Sequence, residues 1–161
     1  MITNEEHVPV SSHIEAMRNS FEFRAAWMAL LIEAAEKRGL DTSFAREAIT
    51  KCGCFHGVTK FNPNQTLEQF AKTFAPQDIL DIFEMDVNTA DGCMTATFHY
   101  CPLVRSWQKL GFSKEKIAEL CDIAMDGDRG IVSQNPSLRF ELCETIGKGG
   151  SKCVVRVSKA Q

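Results

Sequence analysis

Apolar positions in the first half of the chain recur at helical spacing. Ile14, Met17, Phe21, Met28, Ile32 and Ala35 fall at intervals near 3.5 residues, which places them along one face of a long amphipathic helix. Its opening signal is Ser12-His13-Ile14-Glu15, a capping-box pattern in which the serine and glutamate satisfy the first free amides, and Gly39 supplies the stop. A shorter helix is expected from Asp41 or Thr42 to Lys51, ending near Gly53. A third runs from Thr66-Leu67-Glu68-Gln69, again a capping box, through Phe74, with FNPNQ at 61–65 as the connecting loop.

The second half changes period. IFEMDV, a turn at Asn88 to Gly92, and CMTATFHY form one expected hairpin; RFELCETI, GKGGS and KCVVRVS form another. In CMTATFHYCP, Met94, Ala96, Phe98 and Tyr100 alternate with Cys93, Thr95, Thr97, His99 and Cys101, the pattern of a strand with one apolar face. Two helices separate the hairpins: one begins at Pro102, and one begins at Ser113 and buries Ile117, Leu120, Cys121, Ala124 and Met125. The order predicts an α+β fold: N-terminal helices over 1–75, then a ββααββ core over 80–158, with an antiparallel sheet covered by helices on one face.

Composition narrows the function classes. A chain of 161 residues, 44% hydrophobic, is one domain's worth with enough apolar content for a core. Its 18 Lys+Arg against 21 Asp+Glu give a net charge of −3, which argues against a nucleic-acid or anionic-membrane surface and for a small-molecule or protein partner. The start MITNEEHVPV lacks the pattern of a secretory signal, and the longest apolar block, AAWMALLI, is too short to span a bilayer. A cytoplasmic location is therefore expected, with the seven cysteines as reduced thiols. GKGGS lacks the Walker spacing and reads as a hairpin loop, and no cofactor is called for. Oligomeric state is not legible.

Candidate chemistry starts at TFHYCPL, residues 97–103. Proline is favoured at the first helical position, which makes Cys101 the cap residue at a strand-to-helix junction. Unpaired amides and the positive end of the helix dipole there favour the thiolate, and His99, expected to point the same way, would favour it further. The plain alternative is a small buried cysteine and a satisfied sheet histidine. A second cluster lies in ELCDIAMDGDRG, where Asp122 and Asp126, four apart, project from one flank and Asp128 and Arg129 follow. Carboxylates at a helix C-terminus oppose its dipole, so either the helix end is solvated or an aspartate orients His99 or holds a cationic group of a substrate.

TFHYCPLVRSW, LCDIAMDGD and RFELCETIGKGGSKCVVRV together resemble the L-2-amino-thiazoline-4-carboxylic acid hydrolase family, over residues 80 to 158. The matching elements are Cys101-Pro102 after a strand, Cys121-Asp122 on the following helix, and Gly149 or Gly150 before Cys153 in the closing hairpin. The resemblance implies hydrolytic opening of a 2-amino-thiazoline ring to an N-carbamoyl cysteine. Ring carbon C2 is amidine-like, and attack on it expels a thiolate. The site then needs a nucleophile, a proton carrier and a counter-charge. Cys101 is assigned as nucleophile, His99 as base and Asp122 as the carboxylate facing the amidinium, with His99 activating water directly as the variant. Asp126 is the further substrate-binding candidate, and Arg105 or Arg139 the bidentate partner of the substrate carboxylate.

These assignments require His99, Cys101 and Asp122 to line one cavity. Two metal readings compete: a zinc site of His99, Cys101, Cys121 and Cys153, and a second within Cys52-Gly53-Cys54-Phe55-His56. A non-catalytic small-ligand sensor domain using the same strand-to-helix pocket is the remaining alternative.

Overall fold

The computed structural model describes residues 2–160. In chain order the helices α1 (Ser12–Glu36), α2 (Ser43–Lys60), α3 (Leu67–Phe74) and α4 (Gln77–Phe83) precede the hairpin β1 (Met85–Ala90) and β2 (Cys93–Phe98). Then come α5 (Pro102–Lys109), α6 (Lys114–Ala124), α7 (Asp126–Ser133), β3 (Leu138–Glu144) and β4 (Cys153–Lys159). The sheet is antiparallel throughout, in the order β1-β2-β4-β3. The α+β fold expected from the sequence is the one observed.

Alternation builds the inner face of the sheet. Met94, Ala96 and Phe98 of β2 stand opposite Val157, Val155 and Cys153 of β4, and all six are buried. The outward residues of β2 are only partly covered. Asp91 and Gly92, with φ of 52° and 72°, make the tight turn between β1 and β2. On the covered side α5 packs along α1, where the buried Trp107 indole donates to the Ala25 carbonyl at 3.0 Å.

Four local readings change, each for a physical reason. The cap of α1 is Ser11, whose hydroxyl accepts the Ile14 amide, so Ser12 is already helical. Ile82 and Phe83 belong to α4, entered after Pro76 and closed by Glu84 in a left-handed conformation at φ 47°, so β1 starts only at Met85. The second helix does not stop near Gly53 but continues to Lys60. Its glycines face α7: a Cβ on Gly53 would overlap the Gly127 carbonyl, and one on Gly130 would lie 2.5 Å from the Thr50 carbonyl. These glycines are there for close helix contact.

The fourth change is the Asp-Gly segment. It opens α7 instead of ending α6, so three helices separate the hairpins. Asp126 and Asp128 occupy the first turn of α7, where carboxylates are favoured by the dipole they were expected to oppose.

Candidate functional site

Between the helices and the inner face of the sheet lies a cavity of about 440 Å³. Its rim carries the exposed Arg24 of α1, Lys60 of α2 and Thr73 of α3. Its floor carries the buried Phe98, Trp107, Cys121, Cys153 and Val155, and Cys101 also opens into it. Five phenylalanines line it, while the ionisable side chains besides the cysteines are Arg24, His56, Lys60 and Asp128.

Cys101 sits where the sequence places it, as the residue capping α5 just before Pro102. Its backbone is held by Asn4, whose Oδ1 accepts the Cys101 amide and whose Nδ2 donates to the Cys101 carbonyl, both at 2.9 Å. The thiol is not a thiolate. Burial pushes it up to about 12, the neighbouring Cys121 adds to the rise, and the amides of Val104 and Leu103 pull it down without reversing the shift. Helix-terminal amides do face the sulfur, but removal from bulk water outweighs them. Burial also raises Cys121 and Cys153.

His99 is elsewhere. Strand β2 ends at Phe98, the His99 and Tyr100 amides turn to the carbonyls of Glu84 and Phe83, and the alternation that would align His99 with Cys101 is broken. The imidazole meets Asp86 at 2.9 Å and lines a separate groove with His7, Pro9 and Glu84.

Asp122 and Asp126 are also outside the cavity. Arg46 of α2 reaches both, at 2.9 Å and 3.0 Å, and Arg129 of α7 reaches both, at 2.8 Å and 2.6 Å. Burial alone would raise Asp122, but the hydrogen bonds and charges of Arg129 and Arg46 outweigh it and hold its carboxyl below the usual range. This is a four-residue clamp tying α2 to α6 and α7. Arg105 and Arg139 are exposed and do not line the cavity. The structure therefore does not bring His99, Cys101 and Asp122 together.

It places Asp128 and Cys101 along one cavity instead. The Asp128 carboxyl opens into the cavity, and no described residue hydrogen-bonds it. Burial raises it to about 6 against the charges of Arg24 and Arg129. His56 contributes the cavity's imidazole, and its Nδ1 is buried without a hydrogen-bond partner among the described residues. The glycine crossing of α2 and α7 positions this pair: His56 lies between Gly53 and Gly57, and Asp128 between Gly127 and Gly130.

The family model of the L-2-amino-thiazoline-4-carboxylic acid hydrolases matches residues 19–157. The chain belongs to this family. The match reaches back through α1 to α4, so the helices whose sequences showed no signature are part of the family unit and supply Arg24, His56 and Lys60 to the cavity. No curated protein sequence matches the chain. Among solved structures it is similar to a trafficking protein particle complex subunit 3 from Naegleria fowleri, covalently bound to palmitic acid. Identity is 14% and the TM-score 0.55, over 89% of this chain and 97% of that one, a likeness of fold.

Sequence reasoning missed Asn4 and Arg24, and named His56 only within a metal reading. Asp128 was visible as the third carboxylate of its cluster, but Asn4 is 97 residues from Cys101 and carries no local signal. Of the metal readings, His99 is separated from the three cavity cysteines, and the described residues contain no group of three or more His, Cys, Asp or Glu able to hold a metal ion. No helix among them is long and apolar enough to cross a membrane.

Proposed function

We propose that the interior cavity is the substrate site of a hydrolase acting on a 2-amino-thiazoline-4-carboxylate or a related cyclic C–N/C–S compound. The observation that carries this reading is the Asp128 carboxyl, unpartnered in the cavity that Cys101 and Arg24 also line. A half-buried carboxyl without a partner is costly, and a cationic amidine in the cavity offsets that cost. Arg24 or Lys60 at the rim takes the substrate carboxylate, the role expected of Arg105 or Arg139.

The chemistry then follows the protonation states. Cys101, neutral near pH 7, is a poor nucleophile, which favours activated water over a covalent intermediate. His56 takes a proton as water adds to C2. The C2–S bond breaks as the proton held on His56 passes to the departing sulfur, and the hydroxyl left on C2 gives up its own proton to solvent as the carbonyl forms, leaving an N-carbamoyl thiol. Asp128 stays ionised against the amidinium throughout. Turnover of 2-amino-thiazoline-4-carboxylate by the full chain tests this: Asp128→Asn should abolish it and His99→Ala should leave it intact. Full activity of Asp128→Asn overturns the assignment.

A second reading is favoured by the phenylalanine-rich lining. A cavity of about 440 Å³ is roomy for one five-membered ring, and its walls suit an apolar chain. In this reading the domain binds an acyl ligand without turning it over; the structurally similar trafficking subunit is covalently bound to palmitic acid. Denaturing extraction and mass spectrometry of the purified chain separate the two: a stoichiometric fatty acid, together with no turnover, supports binding alone.

A further inference from the structure

The interior cavity is chemically divided. Its guanidinium, ammonium, imidazole and carboxyl groups, on Arg24, Lys60, His56 and Asp128, come from α1, α2 and α7 alone. The wall supplied by α4 and the sheet is Ile79, Phe83, Phe98, Val155 and the Cys153 thiol, without a side-chain nitrogen or oxygen. The two parts meet at Arg24, whose guanidinium lies over the half-buried Phe21 ring, 4.6 Å from its centroid. Phe21 meets Phe83 edge to face at 5.3 Å, and Phe83 meets Phe98 in the same way at 5.5 Å. Three rings therefore form one continuous surface, which starts under a cation at the rim and ends on the buried face of β2.

A cavity of about 150 Å³ accommodates one benzene ring. A 2-amino-thiazoline-4-carboxylate, one five-membered ring with two small polar groups, thus leaves a large part of the roughly 440 Å³ here unfilled. Close-packed interiors leave few such voids, because atoms that face an empty space lose their contacts.

We propose that the substrate carries an apolar substituent on ring carbon C5, seated against Phe21, Phe83 and Phe98; this rests on the hydrolase reading given above. C2 and C4, which bear the amino group and the carboxylate, flank the ring nitrogen. With the amidine on Asp128 and the carboxylate on Arg24 or Lys60, the S–C5 edge is the side of the ring left for the aromatic wall. The stoichiometry is that of the unsubstituted ring: one water adds at C2, the C2–S bond breaks, and the product is an N-carbamoyl cysteine bearing the substituent on Cβ. Nothing is oxidised or reduced. The substituent takes no part in the bond formed at C2, so it is held alike in the ground and transition states and acts through KM more than through kcat.

Steady-state turnover by the full chain of 2-amino-thiazoline-4-carboxylate and of its 5-propyl derivative tests this. Burying a methylene is worth about fourfold in affinity, so the propyl group should raise kcat/KM by roughly tenfold or more, chiefly through a lower KM. Ile79→Trp, which fills the apolar end one turn before Phe83, should bring the ratio of the two kcat/KM values close to one with an unchanged far-UV circular dichroism spectrum. Phe21→Gln, which sets an amide into the aromatic surface, should lower the same ratio, and it carries the test should Ile79→Trp fail to fold. A parent compound opened as well as the propyl derivative overturns this proposal and leaves the hydrolase reading standing. Absence of turnover with both compounds overturns the hydrolase reading and this proposal with it. A propyl preference that survives both substitutions overturns the assignment to this wall.

Discussion

Asn4 and Cys101 exchange two hydrogen bonds of 2.9 Å, so that a side chain near the start of the chain replaces a missing strand partner for the residue that caps α5. Asn4 is 5% exposed, and its removal leaves a part-buried amide and carbonyl without their partner. Asn4→Ala should therefore cost about 1–3 kcal/mol of stability, read as a shift in the urea midpoint. The same variant should speed alkylation of Cys101, because the segment covering its backbone is released.

Gly53 and Gly57 make a prediction of the opposite kind, since adding atoms there is what harms. Gly53→Ala places a methyl against the Gly127 carbonyl, and the helices must separate. Relief of such overpacking costs typically about 1–3 kcal/mol. Because the same crossing positions His56 and Asp128, turnover should fall more steeply than stability. Ala at Gly127, where the nearest group is the Ile49 Cγ2 at 3.7 Å, should be far milder in both thermal denaturation and turnover.

Two carboxylates on neighbouring turns should give opposite pH dependences. The Asp122 clamp holds that carboxyl below its ordinary 3.8, so its contribution is present above about pH 4 and is lost as the pH falls through the folded-state value. Asp122→Asn should lower stability at pH 7 by on the order of 1 kcal/mol, the pairs being partly solvated. A variant that loses turnover with an unchanged melting temperature would return Asp122 to the site.

Asp128 runs the other way. Its folded-state value, about 6, lies above the ordinary 3.8, so the folded protein binds the extra proton and stability declines as pH rises between those values. Asp128→Asn should raise the melting temperature by a few degrees at pH 8 and give no gain at pH 4, measured by calorimetry on the ligand-free chain. Stabilisation combined with lost turnover is the signature of a group kept for chemistry.

The extent to which this was legible depends on the range of each interaction. The body of helix α1, the alternation of β2 from Cys93 to Phe98 and the Cys101-Pro102 cap are written in neighbouring residues, and these formed as read. The stop at Gly53 failed because a glycine that ends a helix and a glycine that admits another helix are the same residue; only the approach of Gly127 tells them apart. His99 failed because period-2 alternation holds only while the strand lasts, and β2 ends at Phe98. Asp122 and Asp128 could not be separated by spacing, since Arg46, 76 positions before Asp122, decides which carboxylate is already paired.

The thiols give the last test, because two physical effects on Cys101 pull in opposite directions. A cap position at a helix N-terminus lowers a thiol, and if that effect won, Cys101 would alkylate first. Burial wins in this fold, raising Cys101 to about 12 and raising Cys121 and Cys153 with it. Near pH 7.5, short exposure to iodoacetamide followed by peptide mass mapping should therefore label the exposed Cys52 first and Cys101 slowly. Raising the pH should speed Cys101 without a plateau up to pH 9, since its thiolate fraction is still climbing there. If Cys101 labels fastest at pH 7.5, the amides of Leu103 and Val104 outweigh burial, and a covalent mechanism at Cys101 replaces activated water.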